Sequence, residues 1–203
     1  MSDQRPALDP VEGRVLGVLI EKAMTTPDNY PLTLSAVVAG SNQATNRNPV
    51  MSLDEYEVEQ ALVRLHDAGL ATPVRRSGDR VTKYRHKVGE AFEIGPEQQA
   101  ILAVLLLRGP QTAAELRSRT ERYLTFSSTA EVEKTIDDLC EAGLAVRLPR
   151  SPGQSQRRIS QTLVAGDSTP PEPSAPSVSI EGRISELETR FEALLDRLGI
   201  DDI

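Results

Sequence analysis

Apolar residues recur through the body of the chain with the spacing of amphipathic helices. The clearest stripe consists of Val58, Leu62 and Leu65, spaced by four and three residues among charged positions. Side chains with this spacing share one face of an α-helix, which is normally buried against neighbouring elements. The same stripe returns from Val132 to Leu139. The pattern therefore predicts two related helices, one in each half of the chain.

These two helices belong to an internal repeat. Residues 68–71 (Ala-Gly-Leu-Ala) recur as residues 142–145 at an offset of 74, whereas residues 16–19 match residues 102–105 at an offset of 86. Because the offset falls along the chain, the first copy holds about twelve extra residues, which we place within residues 25–52.

Each copy is predicted to contain three helices followed by a β-hairpin. Capping residues with Glu or Gln three positions later mark most helix starts, and glycines at 69 and 143 mark the ends of the third helices. The predicted helix starts are Asp9, Thr33, Asp54, Gly95, Thr112 and Ser128. β-branched stretches around Gly-containing turns predict hairpins that pair residues 70–74 with 81–88 and residues 145–148 with 157–161.

Three helices followed by a hairpin make up the winged-helix plan, a variant of the helix-turn-helix. The sequence therefore predicts a mainly α protein with small β-hairpin wings, of the α+β class, with two tandem winged-helix domains and a C-terminal amphipathic helix. The predicted boundaries are 8–90 for the first domain with its insert at 25–52, 95–165 for the second, 166–179 for a Pro-rich linker and 180–199 for the last helix.

The predicted C-terminal helix has a short apolar seam with the spacing of a coiled coil. The seam residues are Ile180, Ile184, Leu187, Phe191, Leu194 and Leu198. A lone helix of two and a half heptads is marginal in water, so this seam requires a partner. Two partners remain open: a second copy, which gives a weak homodimer, or the body of the same chain.

The composition indicates a cytoplasmic protein without a membrane segment. The 203 residues include a single cysteine, Cys140, so no intrachain disulfide can form, as in most proteins of a reducing cytosol. The longest apolar run, residues 100–107, is far too short to span a bilayer, and residues 1–6 lack the apolar stretch of a secretory signal.

The net charge of −7 is distributed unevenly. Residues 167–203 hold nine acids and three bases, so the rest of the chain is nearly neutral. Within it the predicted third helices, 54–68 and 128–142, are acidic and would be repelled from a DNA groove. The predicted wings are basic and are candidates for phosphate contacts, although arginines on exposed strands also simply protect sheet edges. The candidate nucleic-acid-binding residues are Arg75, Arg76, Arg80, Lys83, Arg85, Lys87, Arg147, Arg150, Arg157 and Arg158.

The insert of the first copy contains a second candidate, for partner or base recognition. Its amide and guanidinium groups are those that read adenine and guanine edges. The residues are Asn42, Gln43, Asn46 and Arg47. Asn and Pro are also ordinary turn formers, and residue type alone favours a turn here.

No group of residues predicts catalysis. His66, His86 and Cys140 lie far apart in the sequence, and Cys140 follows an apolar pattern typical of a core position. The glycines at 78 and 153 belong to hairpin turns, and no Cys, His and carboxylate set has metal-ligand spacing. We therefore predict no enzyme activity, no cofactor and no metal.

Several separated motifs resemble the YceH-like family of bacterial tandem winged-helix proteins. They are residues 17–22 (Gly-Val-Leu-Ile-Glu-Lys), 25–32 (Thr-Thr-Pro-Asp-Asn-Tyr-Pro-Leu), the pairs Asn42-Gln43 and Asn46-Arg47, residues 49–51 (Pro-Val-Met) and residues 80–86 (Arg-Val-x-Lys-Tyr-x-His). The resemblance covers about residues 8–165 and implies the fold but no established activity. The family's cysteine before the Asn-Gln pair is Ser41 here, which argues against a metal or redox role at that position.

The leading functional prediction is a nucleic-acid-binding regulatory protein that uses the basic wings of tandem winged helices, with DNA as the partner. The alternative is a non-catalytic protein–protein interaction adaptor of the winged-helix type, which rests on analogy of fold.

Overall fold

The computed structural model describes residues 7–75, 81–150 and 156–165. All of them belong to one of the two compact units into which the chain divides, Met1–Thr169. The predicted linker at 166–179 and the predicted C-terminal helix at 180–199, with all six seam residues, lie outside the described residues. Their part in oligomerisation stays a prediction.

The first copy of the repeat folds into three helices and a three-stranded sheet. Its elements are α1 (Pro10–Thr25), a 3-10 turn (Pro27–Asn29), β1 (Leu32–Thr33), α2 (Leu34–Ser41), α3 (Glu55–Asp67), β2 (Ala71–Val74) and β3 (Lys83–His86). The Tyr30–Pro31 and Asn48–Pro49 peptide bonds within the insert are cis.

The second copy follows after a short connecting helix. Its elements are α4 (Val88–Phe92), α5 (Pro96–Arg108), α6 (Ala113–Thr120), α7 (Thr129–Glu141), β4 (Ala145–Arg147) and β5 (Ile159–Gln161). The described residues thus contain seven α-helices and two small antiparallel sheets, and the chain is mainly α within the α+β class.

The helices begin at the N-cap residues that the sequence predicts. Asp9 Oδ1 accepts a hydrogen bond from the Glu12 N–H, and Glu12 Oε2 accepts one from the Asp9 N–H, both at 2.8 Å. Such reciprocal pairs satisfy backbone N–H groups that the first turn leaves unpaired. All six predicted starts are N-cap residues: Asp9, Thr33, Asp54, Gly95, Thr112 and Ser128.

The third helices end and bury their faces as predicted. Gly69 and Gly143 have φ values of 73° and 61°, a left-handed conformation that glycine adopts without a steric penalty. The stripe of Val58, Leu62 and Leu65 is buried, and so is its counterpart in α7. The remaining face of α3 carries the helix's acidic residues and is exposed.

The two sheets have related but unequal topologies. The first has the order β1-β3-β2, with Leu32 opposite Tyr84 and Ala71 opposite His86. The second pairs β4 with β5 only, and a single bridge between Gln111 and Ile159 takes the place of a third strand.

Two elements differ from the sequence-based expectation. The predicted strand at 81–88 ends at His86, and Val88 instead begins α4, where its side chain is fully buried. Strand β1 was not predicted, because it has two residues and its partner β3 is about fifty residues away. Both features depend on tertiary contacts that local patterns do not contain.

The two copies share one hydrophobic core, in which α1 packs against α5. Gly17 allows this close approach, because a Cβ atom there would lie 3.0 Å from Leu107 and 3.1 Å from Leu106. Residues from the two copies also pair directly, because the Leu8 N–H donates to the Leu163 carbonyl at 2.7 Å. The two copies and their hairpins therefore belong to a single packed body.

Candidate functional site

The first wing holds half of its described bases in ion pairs. Arg85 and Lys87 contact the Glu90 carboxylate at 3.0 and 3.3 Å, and these hydrogen bonds hold the pKa of Glu90 below its usual value. No ion pair joins Arg75 or Lys83 to another described residue. The predicted contacts Arg76 and Arg80 lie outside the described residues.

In the second wing, too, half of the described arginines form ion pairs and half do not. Arg147 bridges Glu133 and Asp137 of α7 at 2.8 and 2.7 Å, which fastens β4 to that helix. Arg158 donates to the Pro110 carbonyl at 2.9 Å and contacts Glu115 at 3.2 Å. These arginines position the hairpin.

Two other arginines of the second wing are available for a ligand. Arg150 and Arg157 are exposed, and neither forms an ion pair with another part of the described chain. Together with the first wing, the structure therefore leaves four described wing bases without a carboxylate partner. These four residues are Arg75, Lys83, Arg150 and Arg157.

A groove of about 330 Å³ runs between the second wing and the first turns of α6 and α7. We call it the wing groove. Its lining residues are Ala113, Ala114, Thr129, Glu133, Arg147, Arg150, Gln156, Arg157 and Ile159. Glu133 is the one carboxylate among these lining residues, and Arg147 neutralises it at 2.8 Å.

The wing groove favours anions for two reasons. Three guanidinium groups face one carboxylate, which leaves an excess of positive charge along its lining. The first turns of two helices also present partly positive N-terminal ends beside it, and such ends attract phosphate and carboxylate groups. An exposed groove with this charge can hold successive phosphates of a backbone.

A second groove, of about 480 Å³, lies beside the first wing. Its residues are Lys22, Thr26, Asp28, Asn29, Pro31, Leu32, Thr33, Ala36 and Lys83. It touches the start of the second helix of its copy and a strand of the wing, as the wing groove does. The two grooves differ in their other walls, because the first includes the end of α1 and Asp28, whereas the wing groove includes the first turn of α7.

The insert is a connector within the fold. Asn42 donates to the Leu53 carbonyl at 2.7 Å and accepts from the Leu53 N–H at 2.8 Å. Asn46 Oδ1 accepts a hydrogen bond from Arg108, and the Asn48 N–H donates to the Leu107 carbonyl at 2.8 Å. These contacts tie the insert to the end of α5.

The expectation that the insert presents Arg47 for recognition is wrong. The Arg47 side chain is fully buried and pairs with Glu21 of α1 at 2.6 Å. It also donates to the Gly40 carbonyl at 3.0 Å and to Gln43 Oε1 at 3.1 Å. Its N–H groups donate to acceptors within the protein and are not available to a partner. Such internal acceptors are required, because burying a guanidinium without hydrogen-bond partners is unfavourable.

Glu21 is the partner that sequence reasoning missed. It is completely buried, and Arg47, Lys22 and the Tyr123 hydroxyl contact its carboxylate at 2.6, 3.7 and 3.3 Å. Burial raises the pKa of Glu21, but the hydrogen bond and charge of Arg47 outweigh it, so the pKa lies below its usual value. The only signal in the sequence is a Glu that closes the apolar run of α1.

A second buried arginine anchors the other end of the insert. Arg14 is 2 % exposed and donates to the Ser41 and Pro49 carbonyls at 3.0 and 2.6 Å. Burial, together with the charge of Arg47, lowers the pKa of Arg14 to about 10. Both arginines thus stabilise the path of the backbone through the insert.

The remaining candidate chemistry is dispersed. Cys140 is half-buried, and burial raises the pKa of its thiol. His86 sits among the strands of the first sheet, where burial and Arg85 lower its pKa to about 4. Within the described ranges no three His, Cys, Asp or Glu side chains come together as metal ligands. None of the helices described here has the length and apolar character needed to cross a membrane.

Comparison with known proteins places most of the chain in one family. The family model described as a protein of unknown function, DUF480, matches residues 8–154. A UPF0502 protein of Solibacter usitatus is 43 % identical over 198 residues, covering 91 % of this chain and 95 % of that relative. UPF0502 proteins of Mesorhizobium japonicum and Citrobacter koseri are 41 % and 40 % identical, over 98 % and 95 % of this chain and 98 % of each relative.

Proposed function

The chain belongs to the DUF480 family of bacterial UPF0502 proteins, and we propose that it is a non-catalytic, cytoplasmic regulatory protein that binds DNA through tandem winged helices. The order of elements supports the fold assignment, because both copies contain three helices and then a hairpin. The sequence motifs that resemble the YceH-like family imply the same fold.

The wing groove is the observation that carries this proposal. Arg150 and Arg157 line this groove and form no ion pair within the described chain, so their guanidinium groups are available to phosphates. Their positive charge is complementary to the negative charge of a phosphate backbone. Beside the first wing, Lys83 adds a further phosphate contact, whereas Lys22 in the same groove contacts Glu21 at 3.7 Å.

The third helices are unsuited to lie in the major groove. The exposed face of α3 presents Glu55, Glu59 and Asp67, and α7 presents Glu141. Phosphates would repel these carboxylates across the groove. We therefore propose that the wings and the first turns of α6 and α7 contact the backbone, which gives binding with little dependence on base sequence.

The test is the affinity of the full-length protein for a short duplex, measured by fluorescence anisotropy at about 50 mM salt. Replacing Arg150 and Arg157 together by Gln removes two phosphate contacts that have no role inside the fold. We expect this variant to bind about tenfold or more weakly, since a charge-assisted hydrogen bond contributes about 1–2 kcal/mol.

Lys134→Gln is the matched control. Lys134 is an exposed base of α7 that forms no ion pair with another described residue, and it does not line the wing groove. Its loss should leave the affinity within about twofold, apart from the general effect of one charge. Equal affinities for the wild type and the Arg150/Arg157 variant would exclude the wing groove as the DNA site.

A second candidate function, a protein-interaction adaptor, is supported by the exposed face of α3. Tyr56 and Val63 are 69 % and 49 % exposed on that face, seven residues apart. The repeat places Ala130 and Asp137 at the corresponding positions of α7, so the fold itself does not need apolar side chains there. Exposed apolar residues among acids favour a partner with a basic, partly apolar surface.

Capture of partners from native cells with the full-length chain as bait separates the two functions. Partners lost after nuclease treatment support DNA binding. Partners that are retained after nuclease, and lost when Tyr56 and Val63 are both replaced by Ser, support the adaptor. Retention by the Tyr56/Val63 variant would exclude the α3 face.

A further inference from the structure

The exposed side of α3 carries a stripe of apolar and amide side chains along two turns of the helix. Tyr56 and Val63 are 69 % and 49 % exposed. They are seven residues apart in α3 and therefore lie on one side of it, with Gln60 between them. We call these three residues the α3 stripe.

A groove of about 340 Å³ opens between this stripe and the first turn of α1. We call it the α3 groove. Its lining residues are Val11 of α1 and Tyr56, Glu57, Gln60 and Arg64 of α3. Val11 is only half-buried and packs at the edge of the core, so apolar surface from two helices meets in the groove. An apolar side chain that enters the groove would contact both helices.

The other third helix has no such stripe. The offset of 74 residues places Ala130, Lys134 and Asp137 of α7 at the positions of the α3 stripe. Both helices bury the opposite face in the core. The apolar side chains on the exposed side of α3 are therefore not required by the packing that the two copies share.

Carboxylates surround the α3 stripe. Three exposed acids of α3 form no ion pair with another described residue. These acids are Glu55, Glu59 and Asp67. Arg64, the arginine of this helix, pairs with both Asp9 and Glu12, so its charge is already compensated. The surface around the stripe therefore has an excess of negative charge.

The sign of this charge selects the partner. Like charge would repel DNA, an anionic membrane surface and the same face of a second copy. A segment with exposed Lys and Arg is attracted instead, and its apolar side chains can cover the stripe. We propose that the α3 groove binds a basic, amphipathic α-helix of another protein. This proposal rests on the adaptor function and names the chemistry of its partner.

A helix fits this surface better than an extended peptide does. The backbone groups of α3 are hydrogen-bonded within the helix, so α3 offers no sheet edge to which an extended chain can pair. A partner helix satisfies its own backbone. Its apolar side chains at positions i, i+4 and i+7 recur with the same rise as the α3 stripe, and its basic residues then lie beside the exposed acids.

A synthetic peptide with this pattern tests the proposal. The basic probe is an Ala-based peptide of about 15 residues with Leu at positions i, i+4 and i+7 and Lys on both sides of them. The acidic control has Glu in place of Lys, and the polar control has Ser in place of Leu. Fluorescence anisotropy with the full-length protein at about 150 mM salt measures binding, because this salt screens unspecific attraction.

Wild type should bind the basic probe about tenfold or more tightly than either control peptide, since both apolar contact and charge contribute. Far-ultraviolet circular dichroism of the mixture should exceed the sum of its parts, because the bound probe becomes helical. Equal binding of the basic and acidic peptides, or binding without a gain of helix, overturns the proposal.

Replacing Tyr56 and Val63 together by Ser should weaken binding of the basic probe about tenfold or more. Val146→Ser is the matched control, because Val146 is an exposed apolar residue of β4 that lies outside α3. It should bind as wild type does. Equal binding by the Tyr56/Val63 variant and wild type would show that the probe binds elsewhere.

The contribution of charge is tested separately. Glu55→Gln with Glu59→Gln removes two of the exposed acids and should weaken binding about threefold or more. Glu121→Gln with Glu141→Gln changes the net charge equally at exposed positions of the second copy and should stay within about twofold of wild type. Equal effects of the two pairs would contradict recognition at α3.

Two further measurements exclude other occupants of the α3 groove. A peptide with the sequence of residues 180–199 should not displace the basic probe, and the Tyr56/Val63 variant should self-associate as wild type does in analytical ultracentrifugation. Displacement would assign the groove to the chain's own C-terminal segment. Loss of self-association would assign it to a second copy, and either result overturns the proposal.

DNA affinity of the same variants separates this proposal from the leading function. The Tyr56/Val63 variant should bind duplex DNA as wild type does, because neither residue lines the wing groove. Partners retained after nuclease treatment, without binding of the basic probe, would leave the adaptor function standing and overturn the helical partner alone.

Discussion

At the scale of single residues, the fold depends on a buried ion pair, Glu21 with Arg47. Both side chains are fully buried, and Arg47 makes the shortest contact to the Glu21 carboxylate, at 2.6 Å, with Lys22 and Arg122 farther away at 3.7 and 3.8 Å. The pair holds the insert against α1, and Tyr123 of the second copy joins it through a hydrogen bond of 3.3 Å. Removing one member would strand the other charge away from water.

Replacing Arg47 by Met tests this role. We expect the free energy of unfolding to fall by about 3–5 kcal/mol, the range for breaking a buried pair. Arg117→Met, at an exposed position, should change it by less than about 0.5 kcal/mol. Chemical denaturation monitored by circular dichroism measures both. An Arg47 variant as stable as wild type would show that the insert does not depend on this pair.

His86 makes stability depend on pH. Its backbone N–H donates to the Tyr30 hydroxyl at 2.7 Å, its buried Nδ1 has no partner among the described residues, and burial lowers its pKa from 6.5 to about 4. The unfolded chain therefore binds a proton at a higher pH than the folded one. Stability from this group is fully present above pH 6.5 and is lost as the pH falls toward 4.

Protonation of His86 should lower the free energy of unfolding by up to about 3 kcal/mol. Unfolding free energies measured from pH 7.5 to 4.5 should fall more steeply for wild type than for His86→Gln, which cannot be protonated. Parallel curves for the two proteins would contradict a neutral, buried His86.

At the scale of elements, caps and apolar stripes predicted the helices because both are local properties. Asp9 with Glu12, and Asp54 with Glu57, read correctly as helix starts from their spacing alone. The path of the insert could not be predicted, because it depends on Arg14, which binds carbonyls 27 and 35 residues away. The candidate site could be predicted only in part. The clustering of basic residues identified the wings, but the sequence did not show which wing arginines form ion pairs with carboxylates of the same chain.

The contact between α1 and α5 is specified by Gly17. Gly17→Val places two methyl groups against Leu106 and Leu107, where a Cβ atom alone would already lie 3.0–3.1 Å away. Overpacking of this kind costs about 1–3 kcal/mol, which the slightly higher helix propensity of valine over glycine offsets only in part. Ser35→Val, on an exposed position of α2, is the control for helix propensity. Equal melting temperatures for the two variants would show that α1 and α5 tolerate a wider spacing.

At the scale of the whole molecule, the two copies form one body with a basic groove beside the second wing and an acidic face on each third helix. The acidic segment at 167–203 and the predicted seam within 180–199 follow this body in the sequence. We predict weak homodimerisation through that seam. The alternative, docking on the same chain, leaves the protein monomeric.

Analytical ultracentrifugation over a wide concentration range decides between these states. The full chain should show a mass that rises with concentration, whereas a chain ending at Gly166 should remain monomeric, because two and a half heptads alone associate weakly. Monomers in both cases, with a loss of helix on truncation that exceeds the loss of residues, would favour docking and contradict the dimer.

The dependence of DNA affinity on salt tests the central claim most directly. If Arg75, Lys83, Arg150 and Arg157 each neutralise a phosphate, the logarithm of the association constant should fall against the logarithm of salt concentration with a slope of about −3 to −4. The Arg150/Arg157 variant should reduce that slope by about 2 while its melting temperature stays unchanged. An unchanged slope, or no binding at about 50 mM salt, would contradict phosphate recognition by the wings.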